Sequence, residues 1–214
     1  MKKLVLFTSL VIFVITDSYA QDISFGAKAG LNFASITGDD VDDLDGRTAF
    51  HVGVVVEISV SDKFSVQPEL FYSSQGATME DSYTEEGFNV REDGTIKLDY
   101  INLPIMAKYY VAEGFSLEAG PQIGFLMNSE AEVDLTVSGD GVSESITISE
   151  DLKDHVKGID FGFNFGLGYK LENGLNFDAR YNLGLSDGND DPEFFESDDA
   201  FKNSVIQVSV GYFF

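Results

Sequence analysis

Residues 203–214 read NSVIQVSVGYFF. Ile206, Val208, Val210, Tyr212 and Phe214 occupy every second position, and Gln207, Ser209 and Gly211 lie between them. That spacing is the mark of a strand with one oily face and one polar or small face. The stretch stops on a phenylalanine. In a domain surrounded by water so apolar an end would be an exposed edge inviting aggregation. A sheet closed on itself, its outer face against lipid, removes the difficulty, because the last strand then pairs with the first.

Working outward, the same alternation appears eight times, over about 23–36, 48–60, 63–76, 96–111, 115–127, 158–171, 175–187 and 203–214. Short turns at Ser61-Asp62, Ala112-Glu113-Gly114 and Glu172-Asn173-Gly174 alternate with long connections at about 37–47, 77–95, 128–157 and 188–202. An even number of strands joined alternately by short turns and long loops predicts an all-β, eight-stranded antiparallel up-and-down transmembrane barrel. In that layout the short turns and both termini are periplasmic and the long loops extracellular.

One face of these segments carries Phe25, Leu31, Phe33, Phe50, Val52, Val54, Leu70, Leu103, Ile105, Tyr109, Leu117, Phe125, Phe161, Phe165, Leu167, Phe177, Tyr181 and Leu183 without a charge. The other carries glycine, asparagine and the strand charges: Lys28, Glu57, Glu69, Lys108, Glu118, Asp160, Lys170, Asp178 and Arg180. A cation facing lipid at the bilayer midplane costs about 2–4 kcal/mol. Four of them would erase the ~5–15 kcal/mol by which a domain is typically stable. The charges therefore belong in the lumen. A soluble lipocalin-like barrel would need the reverse, a cavity that absorbs the phenylalanines and a wet face of glycine and asparagine.

An eight-stranded barrel is wide enough only for side chains to fill it. Five acids and four bases nearly cancel, so the nine residues are expected to form a lumen ionic network, all but Asp160 in a salt-bridged plug weighted to the periplasmic half. Symmetry about Glu113 puts Lys108 opposite Glu118, and Lys170 and Asp178 become diagonal neighbours. An ion or proton path is the functional alternative to this ionic core. Gly162, Gly166 and Gly168 leave room for neighbouring long side chains, and Pro68, Pro104 and Pro121 predict bulges or local breaks.

At the start of the chain, Lys2 and Lys3, an apolar run from Leu4 to Ile15 and Ser18-Tyr19-Ala20 read as a signal peptide over residues 1–20. Residues 21–214 then form one barrel domain. Cysteine is absent, which excludes thiol chemistry and disulfide staples. The formal net charge of −24 argues against nucleic acid. Most of the acids crowd the long loops, densest in GDDVDDLDG (38–46) and DGNDDPEFFESDD (187–199). Neither run fits a Ca²⁺ loop, since Val41 and Pro192 stand where a ligand and a glycine are required. They read as solvated loops, with Ca²⁺ a weak possibility and no cofactor expected. Alternation around Ser138-Gly139-Asp140-Gly141 predicts a hairpin beyond the membrane. For catalysis His51, His155, Ser73, Ser74 and Asp160 offer no triad spacing, so no enzyme is expected.

The stretches AKAGLNFA (27–34), VQPELFYSSQGA (66–77), YINLPIMAKYY (100–110), LEAGPQIGFLM (117–127), DFGFNFGLGYKL (160–171), ARYNLGLSD (179–187) and the closing GYFF resemble the PorT-like outer membrane protein β-barrel family, the porin-family small barrels of Gram-negative bacteria. The resemblance implies an eight-stranded outer-membrane barrel of OmpA-like or OmpX-like size, and no catalytic motif. Tyr212 and Phe214 are then the expected signal to the barrel-assembly machinery. The expected role is structural or surface interaction by a monomer in contact with lipid, lipopolysaccharide and an extracellular or secretion partner. A narrow channel for small solutes or cations, or an accessory of a secretion machine, is the alternative.

Overall fold

The computed structural model describes residues 22–38, 44–85, 87–139, 142–191 and 201–214. The signal-peptide reading of 1–20 and the runs at 39–43 and 192–200 lie outside the described residues. Nine strands are present among those described: β1 (Ile23–Gly38), β2 (Asp45–Ser61), β3 (Phe64–Glu85), β4 (Phe88–Ala112), β5 (Phe115–Gly139), β6 (Val142–Asp151), β7 (Ile159–Lys170), β8 (Leu175–Gly184) and β9 (Phe201–Phe213). Each pairs antiparallel with its neighbours in the order β4-β3-β2-β1-β9-β8-β7-β5, and β4 also pairs with β5. Eight strands thus close a ring. β6 stands outside it, as the return strand of the hairpin expected around Ser138-Gly139, and among the described residues it pairs only with β5.

Closure joins β9 to β1 from Gly26↔Phe213 to Gly38↔Phe201. Every strand in the ring therefore has a partner on both sides, as hydrocarbon demands of backbone N–H and C=O groups. No helix among the described residues is long and apolar enough to cross a membrane. Two short turns depend on glycine at positive φ. Gly114 (72°) and Gly174 (88°) bring the chain so close to the carbonyls of Lys170 and Phe213 that a Cβ would sit 2.4 and 2.3 Å from them.

The faces separate as the period-2 reading requires. Phe165 is 50% exposed while its neighbour Asn164 is 1% exposed. Ile206, Val208, Val210 and Tyr212 all point outward, and Val205 and Phe213 point in. Tyr109, Tyr169, Phe177, Tyr212 and Phe25 form an exposed aromatic band near the short turns. Phe33, Phe50 and Phe161 are exposed farther along the wall. Aromatic girdles of this kind mark the two bilayer interfaces of a membrane barrel.

One expectation needs correction. The long connections at 77–95 and 128–157 are largely sheet: β3 and β4 pair up to Glu85↔Phe88, and β5 and β6 up to Gly139↔Val142. A spanning strand needs only about 9–11 residues. The 22 and 25 residues of β3 and β4 therefore carry the sheet well past the hydrocarbon. Of the bulges or local breaks expected at the prolines, the ladders show local breaks. The β2–β3 ladder passes from Val55↔Glu69 to Ile58↔Val66 beside Pro68, and β3–β4 from Pro68↔Ile105 to Phe71↔Asn102 beside Pro104. Past Pro121, β4–β5 goes from Pro104↔Gln122 to Ala107↔Ala119. The register is the same before and after each gap. A missing N–H removes one rung, whereas an extra residue would be needed to shift the strand. The register shifts fall elsewhere, between Gly46 and His51, Ser59 and Ser61, Asp99 and Tyr100, and Tyr110 and Ala112.

Replacing Val208, outward on the wall, by arginine is expected to lower unfolding free energy by about 2–4 kcal/mol in a lipid bilayer, measured by urea titration. The same change at exposed Ser143 of β6, beyond the ring, is expected to leave it within about 0.5 kcal/mol. Equal effects at the two positions would contradict the lipid-facing assignment.

Candidate functional site: the lumen

The inward positions of the ring stack into three tiers. Nearest the short turns is an ionic tier. Arg180 on β8 donates from both terminal nitrogens to Glu69 on β3, at 2.6 and 2.7 Å. Its Nε and a terminal nitrogen also donate to Glu118 on β5, at 3.0 and 2.7 Å. Lys108 reaches Glu118 at 3.1 Å, Lys28 reaches Asp178 at 2.9 Å, and Lys170 reaches Glu57 at 3.1 Å. Gln67 donates to Glu69 and accepts from Lys108, and the Tyr110 hydroxyl donates to Glu57. Four cations and four carboxylates are thereby enclosed with no net charge.

Packing makes room for the long side chains where the facing strand carries glycine. A Cβ on Gly166 would lie 2.6 Å from Cγ of Arg180, one on Gly168 2.4 Å from Glu118 Oε1, and one on Gly211 2.6 Å from Cγ of Lys28. Below the tier the Phe213 ring faces inward, 4.2 Å from the Lys170 ammonium, an attraction of about 0.5–2 kcal/mol. Phe213, Lys170, Glu57 and Tyr110 floor a cavity of about 810 Å³ that opens at the short-turn end.

The second tier is amide-rich. His51 Nδ1 lies 2.7 Å from Asn32 Oδ1 and Nε2 lies 2.8 Å from the Ser209 hydroxyl. The carbonyl oxygen can only accept, so Nδ1 carries the proton, and in the neutral imidazole Ser209 then donates to Nε2. Asn32 donates to Ser73 Oγ and Ser74 O and accepts from Gln207, while Arg47 donates to Gln75 O at 2.6 Å. On the opposite wall Asn182 donates to Asn164, and Asn164 to Gln122. The Ser209–His51–Asn32 order is that of a nucleophile, a base and an orienting group. Ser209 is only 4% exposed and His51 2%, so the three groups are enclosed within the lumen.

The third tier, at the far mouth, is apolar. Ile36, Ala77, Leu98, Tyr100 and Leu126 pack with Leu152 and Val156, which the segment after β6 folds back into the opening. That segment is tied down by Leu152 N–H to Ser129 O at 3.0 Å, Lys157 N–H to Gly188 O at 2.9 Å, and a Lys157–Asp187 ion pair at 2.9 Å.

Eight of the nine charged residues singled out from the sequence converge in the first tier. Asp160 does not join them. It is inward and buried but lies toward the mouth, accepting from Ser186 Oγ at 2.9 Å, and no ion pair among the described residues includes it. Lys108 and Glu118 are register partners. Lys170 and Asp178 are diagonal neighbours, yet Lys170 turns across the lumen to Glu57, because Lys28 and Arg180 already take the Asp178 carboxylate. Tyr212 and Phe214 point outward. Of the residues considered for catalysis, Ser73 and Ser74 belong to the His51 network, and His155 pairs with Asp191 at 2.9 Å. Sequence reasoning missed Asn32, Gln67, Arg47 and the Asn164–Gln122 pair. Their signal was parity alone, polar side chains at inward positions on successive strands. No group of His, Cys, Asp and Glu among the described residues is arranged to hold a metal ion.

Arg180→Met leaves Glu69 and Glu118 buried without their main partner. It is expected to cost about 3–5 kcal/mol in bilayer unfolding assays. Adding Glu69→Gln and Glu118→Gln to that variant is expected to restore part of the loss, and no recovery would contradict the pairing. At the mouth, partial burial works against the Asp187 carboxylate, but the Asn189 N–H and the Lys157 ammonium hold it below the ordinary carboxylate range. A depressed carboxylate stabilises the fold at neutral pH, and the contribution is lost as pH falls through its folded value. Amide exchange at Lys157, corrected for its intrinsic rate, should therefore quicken below about pH 4. Lys157→Gln should flatten that dependence.

Residues 19–188 match the family model described as outer membrane protein beta-barrel domain. The crystal structure of Ail, the attachment invasion locus protein of Yersinia pestis, is similar, with 16% identity over 89% of this chain and 98% of that one and a TM-score of 0.49. Neisserial surface protein A gives 12% identity over 89% and 98% with a TM-score of 0.45. CarO2 of Acinetobacter baumannii gives 12% over 92% and 100% with a TM-score of 0.41. Comparison with curated proteins finds no match. Likenesses at these identities and TM-scores carry no argument about activity, and the family rests on the model match alone. With a family model covering most of its length, this outer-membrane chain belongs to the outer membrane protein β-barrel domain family.

Proposed function

We propose that the protein is a PorT-like small barrel that acts as a structural or surface-interaction protein, with its lumen plugged and its acidic hairpins and loops presented outside the cell. The short turns and both termini then lie in the periplasm. The observation that carries this reading is the filled interior: four cations and four carboxylates mutually paired across the ring, topped by an amide-rich tier and an apolar mouth. A solute would have to break several buried ion pairs, each costly to leave half-satisfied. The long, acid-bearing hairpins are the part of the molecule free to meet a partner, lipopolysaccharide among them. Outward Tyr212 and Phe214 at the end of β9 suit capture by the assembly machinery during insertion.

In planar bilayers the wild-type protein is expected to give no steady conductance. The combined variant Arg180→Ala, Glu69→Ala and Glu118→Ala, which empties the middle of the ionic tier, is expected to give a small ohmic current. A large steady current from the wild type would favour a channel and overturn the plugged reading. Crosslinked pull-down from intact cells should lose its partners when the segments 77–95 and 128–157 are shortened to tight turns. Unchanged partners would overturn recognition through the hairpins.

A further inference from the structure

Above the ring, β3, β4, β5 and β6 continue as a four-stranded antiparallel sheet, and β6 is its border. All ten residues of β6 are exposed, and the strand runs in unbroken register with β5 from Glu130↔Asp151 to Gly139↔Val142. One face of β6 presents Val142, Ile146 and Ile148, at 62, 56 and 57% exposure, continuous with their register partners Ile146↔Leu135 and Ile148↔Val133. The other face presents Ser143, Ser145, Thr147 and Ser149. Border strands are normally blunted by lysine, proline, a bulge or a covering segment. β6 contains neither lysine nor proline, its ladder holds no bulge, and residues 128–152 include no lysine or arginine at all.

We propose that β6 is a docking edge for an extended segment of a partner protein, which adds to the projecting sheet as a further strand. The inference rests on the surface-interaction reading above and names the partner's chemistry. Main-chain hydrogen bonds along the open side of β6 supply affinity, and alternate side chains supply selectivity. On the apolar face Glu150, Ile148, Ile146 and Glu144 follow one another at every second residue. The complementary strand carries a basic residue, two apolar residues and a second basic residue at every second position, because opposite charges and apolar pairs across strands stabilise and like charges destabilise. A second copy of this chain does not meet that requirement. Antiparallel self-pairing about Thr147 sets Glu144 against Glu150, and parallel in-register pairing sets each glutamate against its own counterpart. The overall charge of −24 adds to the repulsion. The occupant is a basic, alternating segment of another protein.

The test uses the full-length barrel in lipid nanodiscs and two fluorescein-labelled peptides. SKTVTVTKS has the required alternation, and SVKTTTKVS has the same composition with the lysines and valines out of phase. The first is expected to bind saturably by anisotropy and to slow hydrogen exchange at the amides of β6. Ile146→Lys, a gatekeeper on the exposed edge, is expected to weaken it about tenfold. Glu144→Gln with Glu150→Gln should weaken it too. Heat-modifiable migration on gels checks that each variant is still a folded barrel. Equal binding of the two peptides, or binding without protection of β6, would overturn the edge. If pull-down partners nevertheless depend on the hairpins, the surface reading stands and only the edge falls. If neither dependence is found, both fall.

Discussion

Hydrocarbon offers a peptide group no hydrogen-bond partner, and the architecture follows from that. β1 must find β9, and β4 must find β5, or two rows of backbone groups would face lipid unpaired. Closure then dictates where side chains go. Period-2 geometry gives each strand one outward and one inward face, and lipid accepts only the apolar one. The charged side chains of the spanning strands are thus turned into the lumen. There, Asp160 apart, they neutralise one another. The pairing of Arg180 with Glu69 and Glu118 is in this sense a consequence of Phe165, Leu167 and Val208 lying outside.

The change of interior along the axis has the same origin. Within the bilayer, moving a leucine from the wall to the lumen gains little, since lipid tails are as apolar as the leucine itself. Nothing there selects an oily core, and amides and ion pairs occupy the space. Beyond the bilayer, water surrounds the sheet and burial of apolar surface is again worth about 25 cal/mol per Å². That is where Ile36, Leu98, Leu126, Leu152 and Val156 gather. The mouth packs as a soluble protein does, and the middle as a membrane barrel does.

How much of this could be read in advance depended on distance along the chain. Lys108 facing Glu118 was legible because a three-residue turn fixes the register of the two strands it joins. Lys170 reaching Glu57 was not, since no local rule relates β7 to β2 across the barrel. Asp160 had the right parity but the wrong height, and parity says nothing of height. The continuation of β3 and β4 past the bilayer was hidden by composition. Glu80, Asp81, Glu92 and Asp93 put charge on both faces, because water bathes both, and the alternation that announces a half-buried strand fades. The Ser138-Gly139 turn was still legible, because turn chemistry does not depend on what surrounds the strands.

The projecting sheet reverses the logic of the ring. In lipid an open border is forbidden, and the eight strands spend their whole inner register avoiding one. In water the same border is tolerated, because solvent satisfies the free N–H and C=O groups of β6. What water does not do is make the border inert. Ile146 and Ile148 remain exposed beside those groups, and lysine, the usual guard, is missing. Glu144 and Glu150 guard it differently: they repel acidic chains, this protein's own included, and leave the edge open to basic ones. A lysine there would have discouraged every strand alike, whereas glutamates at these two positions keep strand addition open and select by charge what can be added.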